Sequence, residues 1–187
     1  MIKLKKRKEN RKNPNGFTMI EMIVYVLLVG LVSVVLFNII FFVTNTNNKI
    51  ISMTKASFNA YSVMERIIYE IENSSHIYMP TSNFVNYNYD ISKGDQLTLA
   101  TEIGASATEN ITFVDFYIEN DTLFLKQEGL NPVALTSSDV KVSNLSFSYY
   151  KNDTRESVTV DFTITANGSS ILGSETHLVN TVTLRSY

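Results

Sequence analysis

The chain has 187 residues, of which 44% are hydrophobic and none is cysteine. This length allows one soluble domain of ordinary size beside a terminal segment, and the absence of cysteine excludes a disulfide framework and a cysteine-ligated metal site. Charge is unevenly distributed: residues 1–16 hold seven basic residues and one acidic residue, a net charge of +6, whereas residues 17–187 hold nine basic and 17 acidic residues, a net charge of −8.

A long apolar segment follows this basic leader. From Met19 to Val43 the only interruptions are Glu21, Gly30, Ser33 and Asn38. As a helix these 25 residues would extend about 37 Å, which is enough to cross a hydrocarbon core of roughly 30 Å. Basic residues beside a hydrophobic span stay on the cytoplasmic side. The sequence therefore predicts a single-pass protein of the cytoplasmic membrane, with the N-terminus inside and the body outside.

Two other interpretations of this N-terminus are less consistent with the sequence. A secretory signal has an apolar region of about 7–15 residues followed by a small-residue cleavage site. The present segment is longer, and no Ala-x-Ala-like site follows it. A basic run can also bind anionic lipid or nucleic acid, but nucleic acid is not expected here because the run abuts the span.

Glu21 is the unusual residue of the apolar segment. An ionisable group in the bilayer costs on the order of a few kcal/mol, so such a residue is a functional candidate. The stretch Gly-Phe-Thr-Met-Ile-Glu, residues 16–21, resembles the processing motif of type IV prepilins and pseudopilins. The resemblance implies that a prepilin peptidase cuts after Gly16 and N-methylates Phe17, and that Glu21 lies four residues beyond the new terminus. Met19 replaces the usual leucine with a side chain of similar volume.

The same resemblance implies a role in assembly. In the family, the glutamate of one subunit faces the N-terminal amine of a neighbour, and this pairing offsets the cost of removing both charges from water. Glu21 and Phe17 would then set the axial register between subunits. The alternative is that Glu21 pairs with its own Phe17 amine one turn away, or reaches the headgroups, and specifies nothing. The implied partners are the prepilin peptidase, other pilins or pseudopilins, an inner-membrane assembly platform and the lipid bilayer.

A second helical segment is predicted beyond the span. The polar residues 44–48 mark the exit from the membrane and are expected to loosen the helix locally. Helical periodicity then resumes, and one face should pack on a domain. A proline at position 80 favours a helix end near residues 73–75. We expect one helix from 17 to about 75; the alternative is a separate amphipathic helix after a short linker. The residues of the predicted packing face are Ile51, Phe58, Tyr61, Met64, Ile68 and Ile71.

The remainder of the chain has β patterning. Residues 81–95 have no clear period and are predicted to form a surface connection. Asn120-Asp121 lies between two β-rich runs and predicts a hairpin turn, and a change of parity at Ser143-Asn144 predicts a bulge or a strand break. Ser157–Ala166 alternates apolar with polar residues, as a half-buried antiparallel strand does, and a last strand contains Leu178, Val182 and Leu184.

These elements predict an α+β, pilin-like fold, in which a long N-terminal helix packs its second half on an antiparallel sheet. The predicted division is a leader at 1–16, a transmembrane helix at 17–43, its amphipathic continuation at 44–75 and a β-rich domain at 76–187. The C-terminal part, with Leu-Thr-Ser-Ser-Asp-Val-Lys-Val from Leu135 and Asn-Thr-Val-Thr-Leu-Arg from Asn180, resembles J-type minor pseudopilins and related minor pilins. This resemblance implies a minor subunit that initiates or caps a filament.

No pattern of catalytic residues is evident, so we expect neither an enzyme nor a cofactor. His76 and His177 have no neighbours at metal-ligand spacing, and the oxygen-rich loop with Tyr87, Asp90 and Asp95 lacks EF-hand spacing. Several functions remain open: a subunit of a type IV pilus, of a type II secretion pseudopilus or of a competence pseudopilus for DNA uptake, and a signal-anchored extracytoplasmic binding module.

Overall fold

The computed structural model describes residues 16–85, 95–105, 110–152, 155–167 and 175–185. These residues form a long N-terminal helix followed by antiparallel strands, the α+β, pilin-like layout that the sequence predicts. The elements, in chain order, are helix α1 (Met19–Glu72) and strands β1 (His76–Ile77), β2 (Gln96–Thr101), β3 (Thr112–Glu119), β4 (Thr122–Gln127), β5 (Val133–Ala134), β6 (Val140–Asn152), β7 (Arg155–Ala166) and β8 (Glu175–Thr183).

The chain forms two compact units, with the division after Asn45. In the first unit the apolar side chains of α1 from Met19 to Val43 are all about half exposed or more. By length and composition this part of α1 can cross a membrane, and none of its most apolar 18-residue window is buried in the protein. No internal packing therefore explains the apolar character of this part of α1.

The polar side chains of this segment bond to the helix itself. The Ser33 hydroxyl donates to the carbonyl of Val29 at 2.8 Å, and the Asn38 amide donates to the carbonyl of Val34 at 2.9 Å. Such i to i−4 bonds satisfy a donor that would otherwise face hydrocarbon. Both residues are compatible with a lipid-facing helix for this reason.

The helix continues through the predicted membrane exit. Residues 44–48 are all helical, so the expected local loosening was wrong. Helical bonds link residues four apart, and Thr44 adds a bond from its hydroxyl to the carbonyl of Ile40 at 2.9 Å. At the other end, α1 stops at Glu72, where the Ser74 hydroxyl donates to the carbonyl of Ile71 at 2.8 Å.

In the second unit the packing face of α1 is only partly the predicted one: Met64 and Ile71 are buried as predicted, and Ile68 packs against the core. Its buried residues follow helical spacing and begin with two alanines, whose small side chains let the strands approach the helix axis closely. Three residues of the predicted face are exposed instead: Ile51 by 46%, Phe58 by 73% and Tyr61 by 59%. The helix carries apolar residues on both sides, so periodicity alone placed the centre of the packing face too far toward the aromatic residues. The buried residues are Ala56, Ala60, Val63, Met64, Ile67, Glu70 and Ile71.

Strands β1 to β5 form a five-stranded antiparallel sheet in sequence order. The predicted hairpin is confirmed, because β3 and β4 pair with Glu119 opposite Thr122. Asn120 and Asp121 both have positive φ, 52° and 62°, as a two-residue type I′ turn requires. Asn and Asp tolerate this region better than most residues.

Strands β6, β7 and β8 form a second antiparallel sheet. The predicted bulge is confirmed, since the register between β6 and β7 shifts between Ser143 and Ser146 and Asn144 has a φ of 56°. The extra residue lets Val142 and Leu145, which differ in parity, both face the core. The alternation of β7 is also confirmed; its completely buried residues are Val158, Val160, Phe162 and Ile164.

The two sheets share the core with α1, and backbone bonds link β6 to the hairpin turn of the first sheet and to the segment between β1 and β2. The N–H of Val142 in β6 donates to the carbonyl of Asp121 in the hairpin turn at 2.8 Å, and the N–H of Val85 donates to the carbonyl of Phe147 at 3.0 Å. The largest fully buried side chains of the core come from all three layers: Phe84, Phe116, Phe147, Phe162, Ile67 and Ile71.

Candidate functional site

The candidate site is the start of α1, where the structure brings the predicted site residues into one short stretch. The carbonyl of Thr18 accepts hydrogen bonds from the N–H groups of Glu21 and Met22, at 3.1 and 3.2 Å. The Thr18 hydroxyl also accepts from the N–H of Glu21, at 3.4 Å. Thr18 is therefore the N-cap of the helix. It is not among the site residues predicted from the sequence, although the Thr-x-x-Glu spacing of a capping box was visible there.

Gly16 lies outside the helix and is exposed. A Cβ atom added at this position would meet no atom within 4 Å. The fold of the chain therefore gives no steric reason for glycine at position 16. Any requirement for it must come from a molecule that binds this stretch.

Phe17 presents an aromatic side chain beside the helix start. Its ring lies edge-on to the ring of Tyr25, with centroids 5.9 Å apart and an interplanar angle of 74°. The residue is still 67% exposed. Before any cleavage its nitrogen is an uncharged peptide nitrogen, so a positive charge would arise at this position only after the bond to Gly16 is cut.

Glu21 occupies the first turn of α1 and is partly exposed. A carboxylate in the first turn interacts favourably with the helix dipole, whereas a positive charge near the same end interacts unfavourably. An amine on Phe17 would lie near the positive end of the dipole and would need a counter-charge. Glu21 is the acidic residue of that first turn.

Among the residues that the structure describes, the other candidates are not grouped as a metal site requires. His76 contacts the Ser75 hydroxyl at 3.2 Å, and His177 contacts the Asp161 carboxylate at 2.7 Å. Within the described ranges, no group of three or more His, Asp or Glu residues is placed to hold a metal ion. Of the oxygen-rich loop, Tyr87 and Asp90 lie outside the described residues.

A groove of about 310 Å³ lies between α1 and the β4–β5 edge, lined by Ser62, Arg66, Leu125, Val133 and Leu135. Arg66 pairs with Glu70 at 2.6 Å and lies over the ring of Tyr69. Burial raises the pKa of Glu70, and the Arg66 charge opposes this effect. The lining has neither a histidine nor a carboxylate, so it offers no acid–base chemistry.

Comparison with known families gives one match, and it coincides with the helix start. Residues 11–37 match the family described as the prokaryotic N-terminal methylation motif. No curated protein and no solved structure matches the chain. The matched residues contain Gly16, Phe17, Thr18 and Glu21, together with the first part of the exposed apolar helix. The motif supports processing of the chain by a prepilin peptidase, and the apolar helix that it overlaps is long enough to cross a membrane.

Proposed function

We propose that this chain is a minor pilin or pseudopilin subunit that is cleaved after Gly16, N-methylated at Phe17, and assembled into a type IV pilus or a type II secretion-like pseudopilus, where it initiates or caps the filament. One observation carries the proposal: the methylation motif lies at the start of an apolar helix whose apolar side chains from Met19 to Val43 are about half exposed or more. The anchor of the precursor would become the polymerisation element of the mature subunit.

The cut site is supported by the local structure. Gly16 is exposed and lies before the N-cap, so a peptidase can reach the Gly16–Phe17 bond without unwinding α1. Glycine also leaves the bond unobstructed by a side chain, and the fold does not otherwise need it. Cleavage there would remove the basic leader and keep the whole apolar segment.

The proposed assembly contact is a pair between Glu21 of one subunit and the Phe17 amine of a neighbour. Each charge alone would be costly away from water, and pairing reduces that cost. Apolar helix faces can slide past one another with little loss of packing, whereas a charge pair is lost when the register shifts. Glu21 would therefore specify the axial position of each subunit.

The body of the subunit supports a structural role outside the membrane. Residues 17–187 carry a net charge of −8, which opposes direct contact with the phosphates of nucleic acid. A competence pseudopilus would then use this subunit for assembly rather than for holding DNA. The minor, J-type role rests on the sequence resemblance from Leu135 onward.

The processing step is tested by mass spectrometry of the N-terminus of membrane-extracted protein. The wild-type chain should begin at a methylated Phe17, and Gly16→Leu should remain a full-length precursor. Gly30→Ala is a matched control, because a Cβ at Gly30 also meets nothing within 4 Å. A Gly16→Leu chain that begins at Phe17 would contradict the cut site, and a wild-type chain that keeps residues 1–16 would indicate a signal-anchored binding module instead.

The pairing step is tested by incorporation of variants into filaments. Glu21→Ala should insert in the membrane normally but enter filaments poorly. Glu65→Ala, which removes an exposed carboxylate from the same helix, should enter them normally. Thr18→Ala separates capping from pairing, since it costs about 1 kcal/mol of helix stability without removing the charge. Normal incorporation of Glu21→Ala would refute the pair, and a dominant band of this chain in sheared filaments would refute the minor role.

A further inference from the structure

Strand β8 forms one edge of the three-stranded sheet. Its nine residues pair with β7 in one continuous register, from Thr183 opposite Ser157 to Glu175 opposite Thr165. No strand pairs with the other edge of β8 within the ranges that the structure describes. An edge strand about 30 Å long carries a row of backbone donors and acceptors that an extended polypeptide can satisfy.

The hydrogen-bond pattern identifies the residues that face away from β7. The N–H of Leu184 donates to the carbonyl of Glu156 at 2.9 Å, and the register places Val182 opposite Val158. Because bonded and non-bonded pairs alternate in an antiparallel ladder, even-numbered residues of β8 bond to β7. The odd-numbered residues direct their N–H and C=O groups outward: Glu175, His177, Val179, Thr181 and Thr183.

β7 holds β8 in place, but the described part of β8 lacks the usual features that prevent an edge strand from pairing. Side-chain contacts tie it to β7, with His177 to Asp161 at 2.7 Å and Thr181 to Thr159 at 2.7 Å. Sheet proteins usually block an exposed edge with proline, lysine or a bulge. β8 contains no proline and no lysine, and its pairing with β7 has no bulge. Within the described ranges, the outward-facing groups are therefore held in place and left open for pairing.

The neighbouring flank of α1 adds one exposed aromatic side chain. Ser57 contacts Thr176 at 3.0 Å and Glu72 contacts Arg185 at 3.1 Å, so this flank runs beside β8. Tyr61 lies one turn beyond Ser57 on the same flank and is 59% exposed. A strand added to β8 would place its core-side residues next to Tyr61, where apolar side chains would be favoured.

We propose that β8 accepts an extended, basic segment of a different subunit, which adds a fourth strand to the sheet. The backbone edge selects a polypeptide strand, and the flank at Tyr61 favours an apolar residue in it. The net charge of −8 over residues 17–187 favours a basic donor and disfavours a second copy of this acidic body. The identity of the donor as a subunit rests on the proposed function.

The test uses cross-linking of the full chain in its native cells. Because the chain has no cysteine, Thr181→Cys supplies a single thiol beside the edge, and a thiol-to-amine cross-linker followed by peptide mass spectrometry identifies the partner segment. Val179→Pro removes an outward N–H without breaking a bond to β7. Val179→Thr is the matched control, since it keeps that N–H and the β-branched shape.

We expect Thr181→Cys to cross-link to a segment of a different protein chain, with at least a tenfold loss when Val179→Pro is added and no loss with Val179→Thr. Three results would overturn the proposal: no more cross-linking than at Lys126→Cys, a cross-link to a second copy of this chain, or no effect of the proline. If Val179→Pro also lowers the Tm of the purified chain, Val179→Lys replaces it, since a lysine should repel a basic donor and give the same loss.

The N-terminus of the cross-linked chain separates this inference from the proposed function. A cross-link that depends on the edge in a chain still carrying residues 1–16 would keep strand addition and refute processing. A chain that begins at Phe17 and enters filaments without an edge-dependent cross-link would keep processing and refute strand addition.

Discussion

Replacing Ile67 with alanine tests which face of α1 holds the body together. Ile67 is completely buried in the core. Removing three carbon atoms at about 0.8 kcal/mol each costs roughly 2.4 kcal/mol of transfer free energy, and the cavity left behind brings the loss into the range of about 2–5 kcal/mol for such truncations. We therefore expect the free energy of unfolding to fall by about 3 kcal/mol.

Phe58→Ala is the matched control on the opposite side of the helix. Its side chain is larger, but Phe58 is 73% exposed, so its truncation should change the free energy of unfolding by no more than about 0.5 kcal/mol. Both substitutions introduce alanine, the best helix former, so the contribution of helix propensity largely cancels in the comparison.

The assay is urea unfolding of the full chain in detergent, monitored through the β-sheet circular dichroism signal and tyrosine fluorescence. With a slope of about 1–3 kcal/mol per molar urea, Ile67→Ala should lower the midpoint by about 1–3 M. Phe58→Ala should leave it nearly unchanged. An equal or larger loss for Phe58→Ala would refute the assignment of the packing face.

Three further predictions use the same measurement. Asn120→Val should cost about 1–2 kcal/mol, because a β-branched residue is strained at a φ of 52°, whereas Asn120→Gly should be neutral or stabilising; equal behaviour of the two would contradict the turn geometry. Burial raises the pKa of Glu70 above its ordinary value of 4.5, against the opposing charge of a neighbouring guanidinium. Its contribution to stability is thus present below pH 4.5 and lost as the pH rises through the raised pKa. Glu70→Gln should therefore gain stability relative to wild type over that interval, whereas Glu65→Gln should not. A difference between Glu70→Gln and wild type that stays constant with pH would contradict this prediction. Lys55→Ala should change stability by less than about 0.5 kcal/mol, because the side chains of Lys55 and Asp139 are half exposed or more; a loss above 1 kcal/mol would show that this pair is not an ordinary surface pair.

The strands were predictable because their signals are local. Asn120 and Asp121 tolerate positive φ, and β7 alternates strictly, so the hairpin and the buried face follow from neighbouring residues. The bulge at Ser143-Asn144 was predictable for the same reason, because a change of parity must be absorbed by an extra residue. None of these features depends on what lies across the core.

The packing face of α1 depended on the rest of the molecule. Phe58 and Tyr61 are more hydrophobic than Ala56 and Ala60, so a periodicity argument favours the aromatic side. The sheets nevertheless pack on the alanines, because these small side chains let the strands approach the helix axis closely. At the candidate site, Gly16, Phe17 and Glu21 were predicted through a resemblance in consecutive residues. Thr18 was overlooked because its role depends on where the helix begins.

The contact between the hairpin turn and β6 has a consequence for how the body opens. The two sheets are separate ladders, and the bond from the Val142 N–H to the Asp121 carbonyl links the hairpin end of the first sheet to the start of β6 in the second. Lys141 reinforces the junction through the Asp121 carboxylate at 3.2 Å. Local opening of either ladder must break this junction, so the two sheets are expected to exchange their slowest amide hydrogens as one cooperative unit rather than as two. A subunit built in this way would resist a pulling force applied to one sheet with the stability of both.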